Sequence, residues 1–267
     1  MNLIQSRPLS RYFFLGSILP TLRVGSEPGI LFEDLMILFK DNLGSADFEK
    51  VKVIQTYVDL KNIQKLLKKE EIDHRGNLNE KQLDEAIVNQ EGLPSELFDF
   101  FEEHQEVPEQ LRHFSKVFIT YFREMEKKHK GFLKEYFQFE REWRVLLAGY
   151  RAKKLGVDPA IELQHEDFHD PLIAEVLAQK DAPYFEFPFE YVELGEKLKD
   201  VGQRPNEQYH LMADFRFHCI GEKVQDHPFS IDYLLGYLAQ LMIAEDVFTL
   251  DEKRGNINLN EMVKGNL

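Results

Sequence analysis

The stretch ADFEKVKVIQTYVDLKNIQKLLKKEEIDHRG, residues 46–76, decides the fold class. It holds no Pro or Gly before Gly76 and is rich in helix formers up to that point. Ser45 stands where a helix N-cap is favoured. Lys65, Lys68 and Lys69 gather near the far end, where a helix dipole favours cations. The apolar residues do not keep to one stripe. Val51, Ile54 and Val58 share one side at helical spacing, while Leu60, Ile63 and Leu67 fall roughly opposite. A surface helix needs only one dry face, so this pattern predicts a helix gripped from two sides, or bent near Asp59. Asp59 and Asn62 share the polar strip between the two apolar sides. Inside a bundle such a pair caps or bridges neighbouring helix ends; the alternative is a contact facing a partner.

Outward from this helix the chain reads as all-α. Tyr12 to Leu19 is a short apolar run, strand or helix, behind a loose end at residues 1–11. Residues 31–43 form a short amphipathic helix closed by Gly44. After Gly76, Asn77 or Asn79 caps a helix through about Asn89, and a further short helix covers residues 95–104. Pro108 opens a helix whose apolar face runs from Leu111 to Met125; KKHK at 127–130 and Gly131 interrupt it. A second face runs from Phe132 to Tyr150, ending at Gly156. The two predict a long helical hairpin or one kinked helix in the middle of the molecule. Between 157 and 202, helices are expected at 171–179 and around 189–201, with APYFEFPFEY broken by Pro183 and Pro188 between them. Its rings pack a loop onto the core or offer a binding surface. Pro205 opens a helix to about Gly221, and Ser230 caps a long one that ends at Gly255, with a last short helix in the tail. The segments group as 1–106, 107–202 and 203–267. An echo links IDHRGNLNEKQL at 72–83 with LDEKRGNINLNEM at 250–262, each after a long helix, by duplication or by helix-stop chemistry arising twice.

Composition narrows the function classes. The 267 residues carry 43% apolar and 30% charged side chains, enough for a sizeable core and a solvated surface. Phe occurs 22 times against a single Trp, Trp143, which core packing favours. The net charge of −14 argues against nucleic acid and against a lone grip on anionic lipid; a basic protein surface is the better match. The one cysteine, Cys219, excludes an internal disulfide framework and suits a reducing cytosol. No apolar run approaches the roughly 18 residues that span a bilayer. Tyr12 to Leu19 lacks a small-residue cleavage site, so it reads as a buried first element rather than a secretion signal.

Catalytic signatures are sparse. His165, Glu166, Asp167, Phe168 and His169 spell H-E-x-x-H, the zinc-peptidase pattern with two His ligands one helical turn apart. Asp170-Pro171 follows at once and cuts the helix the motif needs, and no third ligand is clearly placed, so no metal is expected. The Asp73 and Asp251 segments lack the alternating carboxylates of a calcium loop. His218-Cys219 reads as core rather than as base and nucleophile. No phosphate loop, dinucleotide fingerprint or nucleophile elbow is present, and no cofactor is expected.

VDLKNIQKLLKK resembles the Asp-x-x-Asn-Ile-x-x-Leu-Leu-basic helix of the C-type rotor protein (d-type in eukaryotes) of the A/V-type rotary ATPases. With IDHRGNLNEKQLDEAI after it, the chain is similar to a shortened bacterial family encoded beside V-type ATPase genes. FEREWRVLLAGYRAKKLG at 139–156 resembles the family's Glu-rich, Leu-Ala-x-x-x-Ala-basic-x-x-Gly helix. Glu140, Ala148, Ala152, Lys153 and Gly156 match it, and Arg144 stands where the family has Asn. YLLGYLAQLMIAED at 233–246 corresponds to a third such helix. The resemblance implies packed helical bundles, two to three related units in a funnel-like arrangement, and no catalytic residue. It implies a cytoplasmic rotor protein that receives the central stalk, made of the D and F proteins of the ATPase. It would sit on the membrane rotor ring (the K or c proteolipid), touching the membrane only through that ring. Asp59, Asn62, Glu140 and Arg144 are the candidate partner-interface residues. An assembly factor or an unrelated helical adaptor is the alternative function, and a metal-dependent hydrolase at 165–169 a third.

Overall fold

The structure is a computed structural model that describes the backbone of residues 9–265 and the side chains of residues 12–251 and 253. Of residues 1–11, expected as a loose end, 1–8 lie outside the described residues, whereas Leu9, Ser10 and Arg11 belong to the first helix. Thirteen α-helices and no strand are found among the described residues, so the fold is all-α. In order they are α1 (Leu9–Ile18), α2 (Phe32–Asn42), α3 (Ser45–Leu67), α4 (Glu80–Asn89), α5 (Ser95–Glu103), α6 (Val107–His113), α7 (Ser115–Lys128), α8 (Phe132–Leu155), α9 (Pro159–Glu162), α10 (Pro171–Ala178), α11 (Val192–Val201), α12 (Pro205–Glu222) and α13 (Ile231–Gly265). A single 3-10 turn, Phe189–Tyr191, precedes α11.

The helices group as two compact units. One combines residues 1–48 with 196–267; the other is residues 49–195. The first is discontinuous because α1 and α2 pack against α13, at the other end of the chain. Its core is mostly aliphatic: Leu15 and Leu35 are buried beside Phe39, as are Leu234, Leu235, Leu238 and Leu241 along α13. Three polar contacts tie this unit together, one of them from α1 to the first turn of α3. The Tyr237 hydroxyl donates to the Pro20 carbonyl (2.8 Å), the Phe32 N–H to Glu245 (2.7 Å), and the Tyr12 hydroxyl to Asp47 (2.6 Å). At Gly236 an added Cβ would come within 2.8 Å of Val224, so the missing side chain lets that segment lie against α13.

The second unit is built on the α7–α8 hairpin, the closest-packed helix pair within it. The hairpin turns at Gly131, whose φ of 60° is costly for other residues. Phe114, Phe118 and Phe122, at i, i+4 and i+8, are buried; Phe114 meets Phe100 and Phe118, Phe118 and Phe122 meet Tyr57 of α3, and Phe122 meets Phe137 of α8. Several of these pairs are edge-on, the orientation that the ring quadrupole favours. Gly149 brings Val176 of α10 and Phe185 against α8; an added Cβ would lie 2.5 and 2.7 Å from them.

Several local expectations are met and others corrected. α3 is one unbroken helix, buried on both sides at Val51, Ile54 and Val58 and at Leu60 and Ile63. Ser45 is its first helical residue rather than its cap; the Gly44 carbonyl accepts from Asp47 and Phe48. Asn79 caps α4 in a reciprocal capping box with Gln82. The helix expected from Pro108 is split at Phe114 into α6 and α7. The aromatic loop divides: Phe185 is buried, whereas Tyr184 and Phe189 are exposed. Ser230 accepts from the Tyr233 N–H at the start of α13, as a cap should. That helix does not end at Gly255, and the tail forms no separate helix, because α13 continues to Gly265. A lone Gly costs a helix only about 1 kcal/mol and no Pro follows to stop it. The second copy of the echo is therefore helical where the first is a loop. The first 21 residues of α13, Ile231–Asp251, are long and apolar enough to cross a membrane, with 56% of the most apolar window buried by the rest of the protein. This corrects the expectation that no apolar run approaches the length of a bilayer span; core packing in a helical unit requires the same dryness.

Candidate functional site

The polar strip of α3 grips the segment that follows the helix. Gln55, Asp59 and Asn62 lie at i, i+4 and i+7, one face of the helix, and all three are buried. Asn62 makes a reciprocal pair with the backbone of Asp73: its Oδ1 accepts from the Asp73 N–H and its Nδ2 donates to the Asp73 carbonyl, both at 2.7 Å. Asp59 accepts from the Leu78 N–H (3.1 Å) and from the Asn77 side chain (3.0 Å). Gln55 donates to the carbonyls of Arg75 (3.2 Å) and Gly76 (3.4 Å). The loop 73–78 thus satisfies backbone groups on side chains of the preceding helix.

The loop is stiffened from within. Asp73 accepts from the Arg75 N–H (3.0 Å), from its Nε (2.8 Å) and from its Nη2 (2.6 Å). Burial alone would raise the Asp73 pKa, but the guanidinium and the hydrogen bonds of Arg75 hold it at about 2. Asp59 has no cation in that position. Burial pushes its pKa up, and the bonds from Leu78 and Asn77 only partly oppose the rise. Gly76 is obligatory by geometry, since an added Cβ would sit 2.2 Å from the Asp59 Oδ1. The sequence singles out Asp59 and Asn62 as a pair and Gly76 as a helix stop; Asp73 enters it only as a rejected calcium loop, and Gln55 is not marked at all. The Asp-His-Arg-Gly-Asn spacing was the available signal, since it puts short polar side chains beside the one residue that can approach a helix closely.

The other two candidates lie apart from this loop. Glu140 on α8 is buried, and the Tyr57 hydroxyl donates to it at 3.3 Å. Arg144, one turn on, lays its guanidinium over the Phe118 ring at 4.2 Å and lines a cavity beside α8. Three of the four candidates are therefore enclosed by their own unit, and Arg144 is the one that borders open space.

The H-E-x-x-H segment is not helical; it runs through turns between α9 and α10. His165 faces His113 of α6 across 3.0 Å, and His113 in turn stacks on His104. Glu166 lies 3.6 Å from Arg123, and the Asp167 side chain accepts from the His169 N–H. Among the described residues no group of three or more His, Cys, Asp or Glu is arranged to hold a metal ion. Nearby, Arg141 bridges Glu126 (3.2 Å) and Asp170 (3.0 Å), and Asp170 also caps α10 through the Leu172 N–H. No sequence signal marked this bridge, because its members come from three separate segments.

The chain is similar to proteins of Chlamydia muridarum (27% identical over 263 residues) and Chlamydia trachomatis (26% over 263), in each case across 96% of this chain and 99% of the relative. It is also similar to a protein of Chlamydia pneumoniae, 29% identical over 262 residues, with 96% of this chain and 98% of the relative covered. No solved structure matches at a significant level. Matched over residues 9–265, the chain belongs to the family described as "Protein of unknown function (DUF2764)".

Proposed function

We propose that this protein is a non-catalytic rotor component of a V-type ATPase, a socket between the D–F central stalk and the membrane ring of K or c proteolipids. The observation that carries the reading is the Asp59-x-x-Asn62-Ile63-x-x-Leu66-Leu67-basic pattern on one long helix, the residues that resemble the C-type rotor protein. The structural role of these residues is consistent with a coupling part. Asp59 and Asn62 lock a loop onto α3, and α3 is locked in turn into an aromatic core, so a torque applied to one element is passed on rather than absorbed. In this reading Asp59, Asn62 and Glu140 shape the interface from behind, and Arg144 stands nearest to it. The charge of −14 suits a basic partner surface. The protein then works on the cytoplasmic face of the membrane and reaches the membrane only through the ring.

The test is size-exclusion chromatography with light scattering on the full chain mixed with a purified, folded D–F stalk at moderate salt. A stable one-to-one-to-one complex is the expected result. Absence of a complex at micromolar concentration returns the protein to an assembly factor or an unrelated helical adaptor.

A further inference from the structure

Beside α8 lies a cavity of about 450 Å³, within the usual range for small-ligand sites. One wall is a single stripe of α8. Arg144, Ala148, Arg151, Ala152 and Leu155 follow at helical spacing, and the two alanines leave the space between the arginines. The facing wall is the segment after α8, with Val157, Glu162, Leu163 and Glu166; Ile119 and Ser115 of α7 contribute at one side.

Three observations at this cavity bear on what it could hold. The Glu166 side chain is only 6% exposed, yet its Oε2 has no hydrogen-bond donor; Arg123 stands 3.6 Å away, and Arg141 and Arg144 act on the carboxylate from further off. Buried carboxylate oxygens are otherwise paired, because leaving one unpaired costs free energy. Arg144 is half-buried; its guanidinium rests on Phe118 and makes no direct hydrogen bond among the described residues, acting on Glu166 only through space. Arg151, two turns along the same face, makes none either, in a chain where carboxylates outnumber cations. The charged lining residues, Arg144 and Arg151 against Glu162 and Glu166, sum to zero. A simple anion or a simple cation gains little net attraction there. A ligand with an acceptor at one end and a donor at the other matches both walls.

We propose that this cavity binds an α-carboxylate carrying an adjacent N–H and an apolar side chain, the chemistry shared by a peptide C-terminus and a free apolar amino acid. Arg144 and Arg151 take the carboxylate as guanidinium groups do. The Glu166 carboxylate, which lines the cavity, accepts the N–H. Ile119, Val145, Leu155 and Leu163 receive the side chain. This inference goes beyond the rotor reading and does not depend on it.

The test uses calorimetry on the full chain with N-acetyl-leucine as the probe. N-acetyl-leucine amide lacks the carboxylate, 4-methylpentanoate lacks the N–H, and free leucine carries the ammonium. Saturable binding of N-acetyl-leucine is expected, weakened about tenfold or more by R144Q or R151Q and by loss of either ligand group. A148L fills the cavity and abolishes binding while the helical circular dichroism is retained. Arg151 is exposed, so R151Q keeps the test open even if A148L misfolds. Binding of N-acetyl-leucine alone identifies a peptide C-terminus as the source; equal or tighter binding of leucine identifies a free amino acid. The proposal is overturned if neither probe binds at roughly 10 mM, if the amide control binds equally, or if R151Q and A148L leave binding unchanged.

Discussion

Gly76 shows how one residue can carry a local fold. Its Cα lies so near Asp59 that an added methyl would stand 2.2 Å from the Asp59 Oδ1, and Asp59 is itself tied to Asn77 and Leu78. The carboxylate has no free rotation with which to yield. Gly76→Ala is therefore expected to destabilise the protein by about 1–3 kcal/mol, the range for an overpacked buried position. Urea denaturation followed by circular dichroism measures it. Gly92→Ala serves as the contrast: no atom lies within 4 Å of its added Cβ, and its φ of 79° leaves backbone strain as the main cost. If Gly76→Ala costs no more than that contrast, the tight approach of loop to helix is wrong.

At the scale of elements, the segment between α9 and α10 depends on neutral imidazole. His165 meets His113 through an N–H···N bond that needs one ring to donate and the other to accept, and His104 stacks behind His113. Burial lowers the His165 pKa, with further lowering from His113, Lys116 and His104; Glu103, itself paired with Lys116, opposes the fall. A histidine with a depressed folded pKa takes up its proton more readily in the unfolded chain. Stability is then complete above the ordinary histidine value of about 6.5 and falls as pH drops below it towards the folded pKa. Denaturation midpoints measured from pH 7.5 to 5.5 are expected to decline, and His165→Gln to flatten the decline. Part of the slope remains in that variant, because burial and Lys128 lower the His129 pKa in the same direction. An unchanged slope in His165→Gln counts against the histidine contact as its cause.

For the whole molecule, the excess of carboxylates over cations is the property a partner meets first. Exposed charges separated by more than about 8 Å are screened at physiological salt. Association with a basic stalk surface is thus expected to slow and weaken as sodium chloride is raised from about 50 to 500 mM. Stopped-flow mixing with the D–F stalk at several salt concentrations checks it. Salt-independent association removes the electrostatic part of the socket reading and leaves its helical architecture untouched. The first unit draws on both the early and the late part of the chain, so a truncation that removes either is expected to disrupt it.

Much of the architecture was legible from periodicity and punctuation. The two-sided apolar pattern of α3, the Asn79 and Ser230 caps, the stops at Gly131 and Gly156 and the all-α class depend on neighbours within a turn or two, and local sequence encodes those interactions directly. The pairing of α1 and α2 with α13 was not legible, because their apolar faces state that they must be covered but not by what. The same limit hid the Arg141 bridge and the contact between His113 and His165. The H-E-x-x-H string shows it most clearly: two histidines at i and i+4 share a face only on a helix, and the backbone there takes turns instead. Asp59 and Asn62 were recognisable as a buried polar pair from their place between two apolar stripes. That they hold the 73–78 backbone, and that Gly76 alone permits it, follows from distances set only once the chain has folded back on itself.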